Sequence, residues 1–341
     1  MKYAIGYQLP EEEEEPIVDV VCDFHEHIEE VYFPWLDIPT CRASLTSCRG
    51  YVNWEGQERL EHDLKKFRQL GIKLDILFNA NCYGKYSVSQ YLANLVCSIL
   101  EHLGETVGGV DIVTTTSPAI AHVIKQNFKN IEVRASVNMR IGTVKGMEYI
   151  SHLFDSFYLQ REFNRDFERI KELKEWTDHN GKKLLMLANS GCLNFCSGQV
   201  FHDNLVAHET EIDETINIPE WTLHVCWNYF KNRGNWLAIL QGSWVRPEDI
   251  HYYEPYFPII KLATRMHSHP RMVVQSYIER KFYGNLLDLL EPGFASAFVP
   301  YILDNVKFPE SWFTKTSNCK KDCHKCEYCN YVFEQVLTKM E

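Results

Sequence analysis

The chain has 341 residues, 45% hydrophobic and 24% charged, the balance of a globular protein with a sizeable core. A formal net charge of −11 argues against broad non-specific binding to nucleic acid. No apolar run reaches the roughly 18 residues that a membrane span needs.

The opening Met1–Tyr7 is too short and polar-flanked for a secretion signal, so a cytoplasmic location is expected. Lys2–Tyr7 reads as a strand, followed by an acidic run, Glu11–Glu15, that suits a solvated loop. Ile17–His25 reads as a helix and Glu29–Pro34 as a second strand. Gln57–Leu70 has helical spacing, and Gly71 supplies a stop. The alternation then continues. Strands are expected at 72–78, 110–115, 131–136, 156–159 and 183–188, and helices at 88–103, 118–128, 144–153 and 164–179. Trp236–Leu240 and Ile259–Ala263 are the last strand candidates, with Arg246–Asp249 opening a short helix between them.

Strands alternating with helices imply parallel pairing, because each crossover needs a helix. About eight such units predict a (β/α)8 barrel over 1–290, with a doubly wound open sheet as the alternative. No Gly-x-Gly-x-x-Gly follows the first strand. Beyond Glu291 clean periodicity gives way to Pro and aromatic residues, so 291–341 reads as a C-terminal extension.

A barrel of this kind works at the carboxyl ends of its strands. Arg42, Asn79, Asn81, Ser136, Asn138, Arg161, Asn164, Asn189, His202, Asn204, Lys261 and Arg265 fall there. Any one Asn reads best as a turn cap, but the set reads as a pocket for a polar or anionic ligand.

Twelve cysteines are many for a reducing compartment, where structural disulfides are rare. Cys192-x3-Cys196 follows the apolar run Lys183–Ala188, and such paired thiols can hold zinc or an iron–sulfur cluster. Cys226 is a candidate third ligand, with Cys41 or the tail as a fourth. The tail carries Cys319, Cys323, Cys326 and Cys329 among charged neighbours, a spacing that packing does not explain. Its first three thiols match the Cys-x3-Cys-x2-Cys of radical S-adenosylmethionine enzymes. They lie beyond the last strand rather than after an early one, which disfavours that reading. Cys22, Cys82 and Cys97 read as core or loop thiols, and Cys48 has no assignment.

Taken in order, Glu30-Val31-Tyr32 with Cys41-Arg42, Asn79-Ala80-Asn81, Ser136-Val137-Asn138, Asn189-Ser190-Gly191-Cys192 and Lys261-Leu262-Ala263-Thr264-Arg265 form a series. In these stretches the chain resembles the collagenase-like "peptidase" family of iron–sulfur barrels. That family name implies proteolysis. Similar members include oxygen-independent hydroxylases of tRNA and of ubiquinone precursors, which carry a 4Fe–4S cluster held by four cysteines. The spacing Cys192-x3-Cys196 and the four-cysteine tail depart from the family's usual set, so one cluster or two would fit, with zinc as the alternative.

The expectation is an iron–sulfur enzyme, served by an electron donor, that modifies a nucleobase, an aromatic ring or a peptide side chain by redox or hydroxylation chemistry. Whether that substrate is a small molecule or a macromolecule stays open. Arg42, Arg161 and Arg265 would hold an anionic group. Asn138 and Asn189 would orient the substrate, Asn79 and Asn81 would help hold the cofactor, and His202 would transfer a proton. A hydrolase is the second expectation, though neither Gly-x-Ser-x-Gly nor His-Glu-x-x-His is present. A metal-stapled binding protein without catalysis is the third.

Overall fold

The computed structural model describes residues 1–10, 14–36, 38–40, 53–221 and 224–340. Cys41, Arg42, Cys48 and part of the acidic run, Glu11–Glu13, lie outside the described residues.

Eight parallel strands close into a barrel: β1 Lys2–Gly6, β2 Ile28–Pro34, β3 Lys73–Phe78, β4 Ile112–Thr115, β5 Glu132–Ala135, β6 Ser156–Tyr158, β7 Lys183–Leu187 and β8 Ile259–Lys261. β8 pairs with both β7 and β1, which seals the sheet and leaves no edge. Each crossover from β1 to β7 carries a helix: α1 Ile17–Phe24, α2 Trp54–Gln69, α3 Gln90–Val107, α4 Pro118–Asn127, α5 Val144–Ile150 and α6 Phe167–His179. Local chemistry sets their ends. The Ser89 side chain accepts from the Leu92 N–H to start α3, and Gly108, at φ 81°, ends it in the left-handed conformation. No helix among the described residues is long and apolar enough to cross a membrane.

The strands bury two different faces. Ile5, Val31, Leu74, Ile76, Val113, Val133 and Ile260 point outward and join one apolar core with the helices. The alternate residues point inward, and there the barrel is polar and charged. Glu30, Asp75 and Arg134 are about 1% exposed, and Tyr158 and Lys261 are buried with them. Arg134 donates to Glu30, Glu132 and Ser156, and Thr114 donates to Asp75 at 2.8 Å.

Trp236–Leu240 is not a strand. Arg233–Ile239 is a 3-10 helix, begun where the Asn232 side chain accepts from the Gly234 N–H. Its buried residues, Trp236 and Ile239, are three apart, a helical rather than an alternating period. Trp236 stacks on Phe298 with ring centroids 4.4 Å apart.

The β7–β8 crossover is long and carries α7 Gln199–Ala207, α8 Glu209–Asp213 and α9 Val225–Phe230. α10 Pro270–Glu279 follows β8. Residues after Glu291 pack back onto the barrel as α11 Ala295–Phe298, β9 Tyr301–Leu303, α12 Trp312–Ser317, α13 Tyr328–Val336 and β10 Leu337–Lys339. β9 and β10 pair antiparallel.

Candidate functional site at the barrel mouth

At the carboxyl end of β7 the apolar run stops at Ala188, and polar residues take over. Asn189 is fully buried, and backbone groups engage its amide. Nδ2 donates to the Ala263 and Leu289 carbonyls at 2.9 Å, and Oδ1 accepts from the Ala263 N–H at 2.6 Å. It therefore ties β7 to the ends of β8 and of the 286–289 turn, a structural task rather than substrate orientation. Asn164 does a similar job, donating to the Leu187 and Ser243 carbonyls.

Arg161, in the turn after β6, is buried and aims Nη1 at Ser190 Oγ and Cys192 Sγ, both at 3.4 Å. Among the described residues no carboxylate pairs with it. Burial, and after it the nearby Cys192, pushes the Cys226 thiol up to about 11, with Cys196 a smaller cause. Thus Cys192, Cys196 and Cys226 form one electrostatically linked group. Among the described residues, no three His, Cys, Asp or Glu side chains are arranged as a closed metal site.

Next to these thiols lies a cavity of about 640 Å³. Its walls include His202, His224, His267, His269 and Glu291. The thiols and the cavity share framework: Gly191 packs so closely on the Pro292 carbonyl that a side chain would collide, and His224 is two residues from Cys226. The His202 and His224 rings lie 4.5 Å apart. His267 is held in one form. Its Nδ1 accepts from the His269 N–H at 3.0 Å, so Nε2 carries the proton toward the Asp288 carbonyl at 2.8 Å. Burial lowers its pKa below the ordinary value, which keeps it neutral at pH 7.

The other expected strand-end residues divide. Arg265 is buried and donates to Thr40 Oγ1 at 3.1 Å. Asn81 donates to Asp203 of α7 at 3.0 Å, and Asn79 is buried behind it. Asn138 sits half-buried in the turn after β5, while Asn204 is exposed on α7. Lys261 Nζ lies 3.6 Å from the centre of the Tyr32 ring, inside the barrel. Sequence reading names only His202 among the cavity histidines; His224, His267 and His269 belong to no motif and meet through folding.

The tail thiols form a second group. Cys319, Cys323 and Cys329 line a small cavity with Arg165 and Lys321. Cys319 Sγ accepts the Lys321 N–H at 3.2 Å. Arg165 is half-buried, bonded to the Trp244 and Leu240 carbonyls, and lies 4.3 Å from the Trp244 ring centre. Burial pushes Cys329 up to about 11, against the pull of Arg165. Phe195, next to Cys196, and Lys321, between Cys319 and Cys323 in sequence, lie 5.3 Å apart, so the two stretches meet there.

A chain from Methanocaldococcus jannaschii, described as an uncharacterized protease, is 26% identical over 292 residues, or 82% of either chain. A solved U32 peptidase structure superposes on 77% of this chain and 93% of its own, with a TM-score of 0.53 and 16% identity. The second likeness shows the fold. No protein-family model matches the chain.

Proposed function

We propose that this protein is a barrel enzyme that holds a polar substrate in the mouth cavity beside a thiolate-bound iron–sulfur centre, and that it carries out a redox or hydroxylation-type modification. One observation carries the reading: the buried Arg161, a cation with no carboxylate partner among the described residues, lies 3.4 Å from Cys192 Sγ, and Cys192 and Cys196 both act on the Cys226 thiol. Soft thiolates suit iron–sulfur centres and zinc, and a buried guanidinium offsets the negative charge such a centre would bring. Cys41 is the sequence candidate for a fourth ligand. Bound there, an iron–sulfur centre would supply electron transfer. The chain's own residues would position the substrate: Arg265 would pair with an anionic group, and His202 would exchange a proton.

The tail supports a second centre on similar grounds. Three of its thiols, Cys319, Cys323 and Cys329, share a small cavity with Arg165 and Lys321, two half-buried cations without a carboxylate partner among the described residues, and a backbone N–H already points at Cys319 Sγ. Iron, acid-labile sulfide and zinc counts on protein purified without oxygen test both centres. Iron with sulfide and a visible absorbance band supports the reading. Colourless protein without iron overturns it.

Peptide hydrolysis is the second reading, favoured by the likeness to the M. jannaschii protein described as a protease. Cleavage of a mixed peptide library by metal-loaded protein, followed by mass spectrometry, tests it.

A further inference from the structure

The mouth cavity has a neighbour. A second cavity, of about 660 Å³, adjoins it at Ser268, His269 and Met272, which line both. Ser268 and His269 are exposed, so the saddle between the two hollows is open to solvent. Each hollow alone falls within the roughly 300–1,000 Å³ of a small-molecule site. A compact substrate needs one such hollow, whereas two joined across an open saddle fit an extended one.

The saddle is built in place. Gln8 Nε2 donates to the His267 carbonyl at 3.3 Å, and the His269 N–H donates to His267 Nδ1 at 3.0 Å. Just beyond it Arg271, in the first turn of α10, fixes the far wall: its Nη2 lies 2.6 Å from a carboxylate oxygen of Glu15 and of Asp23. Walls held this way spare a ligand the cost of ordering them.

Charge then narrows the class of ligand. Glu209, Asp288 and Glu291 line the mouth cavity, and no Lys or Arg among the described residues does. The second cavity carries Glu14, Glu15 and Glu279 against Arg271 and Lys281. Arg271 is already neutralised by Glu15 and Asp23. With its histidines neutral, the cleft is acidic along its length, which attracts cations and repels polyanions.

We propose that the two cavities form one substrate cleft, and that its ligand is an extended polypeptide segment bearing Lys or Arg side chains. A nucleic acid meets the wrong sign of charge on every wall. Arg265 lines neither cavity, so the anionic group proposed for it and these cationic side chains occupy different places along one segment. The inference rests on the proposed function in one respect, that the substrate reacts at the mouth cavity.

Fluorescence anisotropy with the full-length protein, purified without oxygen, tests it at pH 8, where histidine is neutral. Three labelled probes are compared: the peptide Lys-Ala-Lys-Ala-Lys-Ala-Lys, its counterpart with Glu for Lys, and a single-stranded RNA of twelve nucleotides. The lysine peptide should bind about tenfold tighter than either of the others, and raising the salt from about 50 to 500 mM should weaken it. Glu209→Gln in the mouth cavity and Glu279→Gln in the second should each weaken it about two- to fivefold. Ser268→Trp, on the saddle, should weaken it further. Glu148→Gln, exposed on α5, should change nothing.

Equal binding of the two peptides, preference for the RNA, or no binding of any probe overturns the inference. An effect of only one of the two cavity carboxylates confines the ligand to one hollow and overturns the joined cleft. The outcomes separate from those of the proposed function. Selective binding of the lysine peptide by protein that lacks iron and sulfide keeps the cleft and removes the iron–sulfur reading. Iron and sulfide in protein that prefers the RNA do the reverse.

Discussion

Arg134 grips Glu30 with both arms of its guanidinium inside the closed barrel, Nη1 at 2.6 Å and Nη2 at 3.0 Å from the two carboxylate oxygens. Such a pair contributes little net stability when intact but is costly to break, because the surviving charge stays buried. Arg134→Met should therefore lower unfolding free energy by about 3–5 kcal/mol in urea titrations. Adding Glu30→Gln should recover part of that loss. A fully additive double variant would show that the two do not act together.

Asp75 faces the same interior, and burial pushes its carboxyl from 3.8 up to about 6, despite Arg134 and Lys261. The folded state thus favours the protonated form more than the unfolded chain does. Its contribution to stability is fully present below pH 3.8 and is lost as pH rises through about 6. Urea midpoints measured between pH 4 and pH 7 should carry this slope, and Asp75→Asn should flatten it.

The cysteines of the mouth and the tail contact different partners, so under the proposed reading any metal at each should be lost separately. Cys192→Ser is expected to remove the mouth centre and spare the tail, and Cys323→Ser the reverse. Elemental analysis of each variant reads this directly. Complete loss of metal from either single variant would mean one shared centre.

Arg165 fastens the extension to the barrel. Its guanidinium donates to the Trp244 carbonyl and lies 5.1 Å from the Trp312 ring centre. Trp312 stacks on Trp244 at 5.7 Å, and Tyr328 lies 6.1 Å beyond it. Arg165→Ala should cost about 2–4 kcal/mol. Limited proteolysis should then cut first in the stretch after Ser317, and tryptophan emission should shift to the red. Cleavage spread evenly over the barrel would contradict this account.

Much of the architecture was legible in the residue order. Alternating strand and helix patterns with short breaks specify parallel pairing, and the barrel follows from their number. Trp236–Leu240 misled because a short apolar run carries too few residues to separate a strand from a 3-10 turn. Asn189 shows a second limit: its type and position suit a ligand-binding amide, and only coordinates reveal that backbone groups from 263 and 289 engage it.

The cysteine spacing by itself marked out Cys192 with Cys196, and the four tail thiols, as clusters along the chain, because side chains close in sequence need no tertiary help to meet. What the sequence could not convey is any site assembled across long separations. Asn81 lies in a plain turn and Asp203 on a helix 122 positions later, yet Asn81 donates to it at 3.0 Å, and no local pattern connects them. Closing the barrel brings the stretch after β3 against α7. Proximity of that kind is decided by packing of the whole chain, and not by the residues on either side of each group.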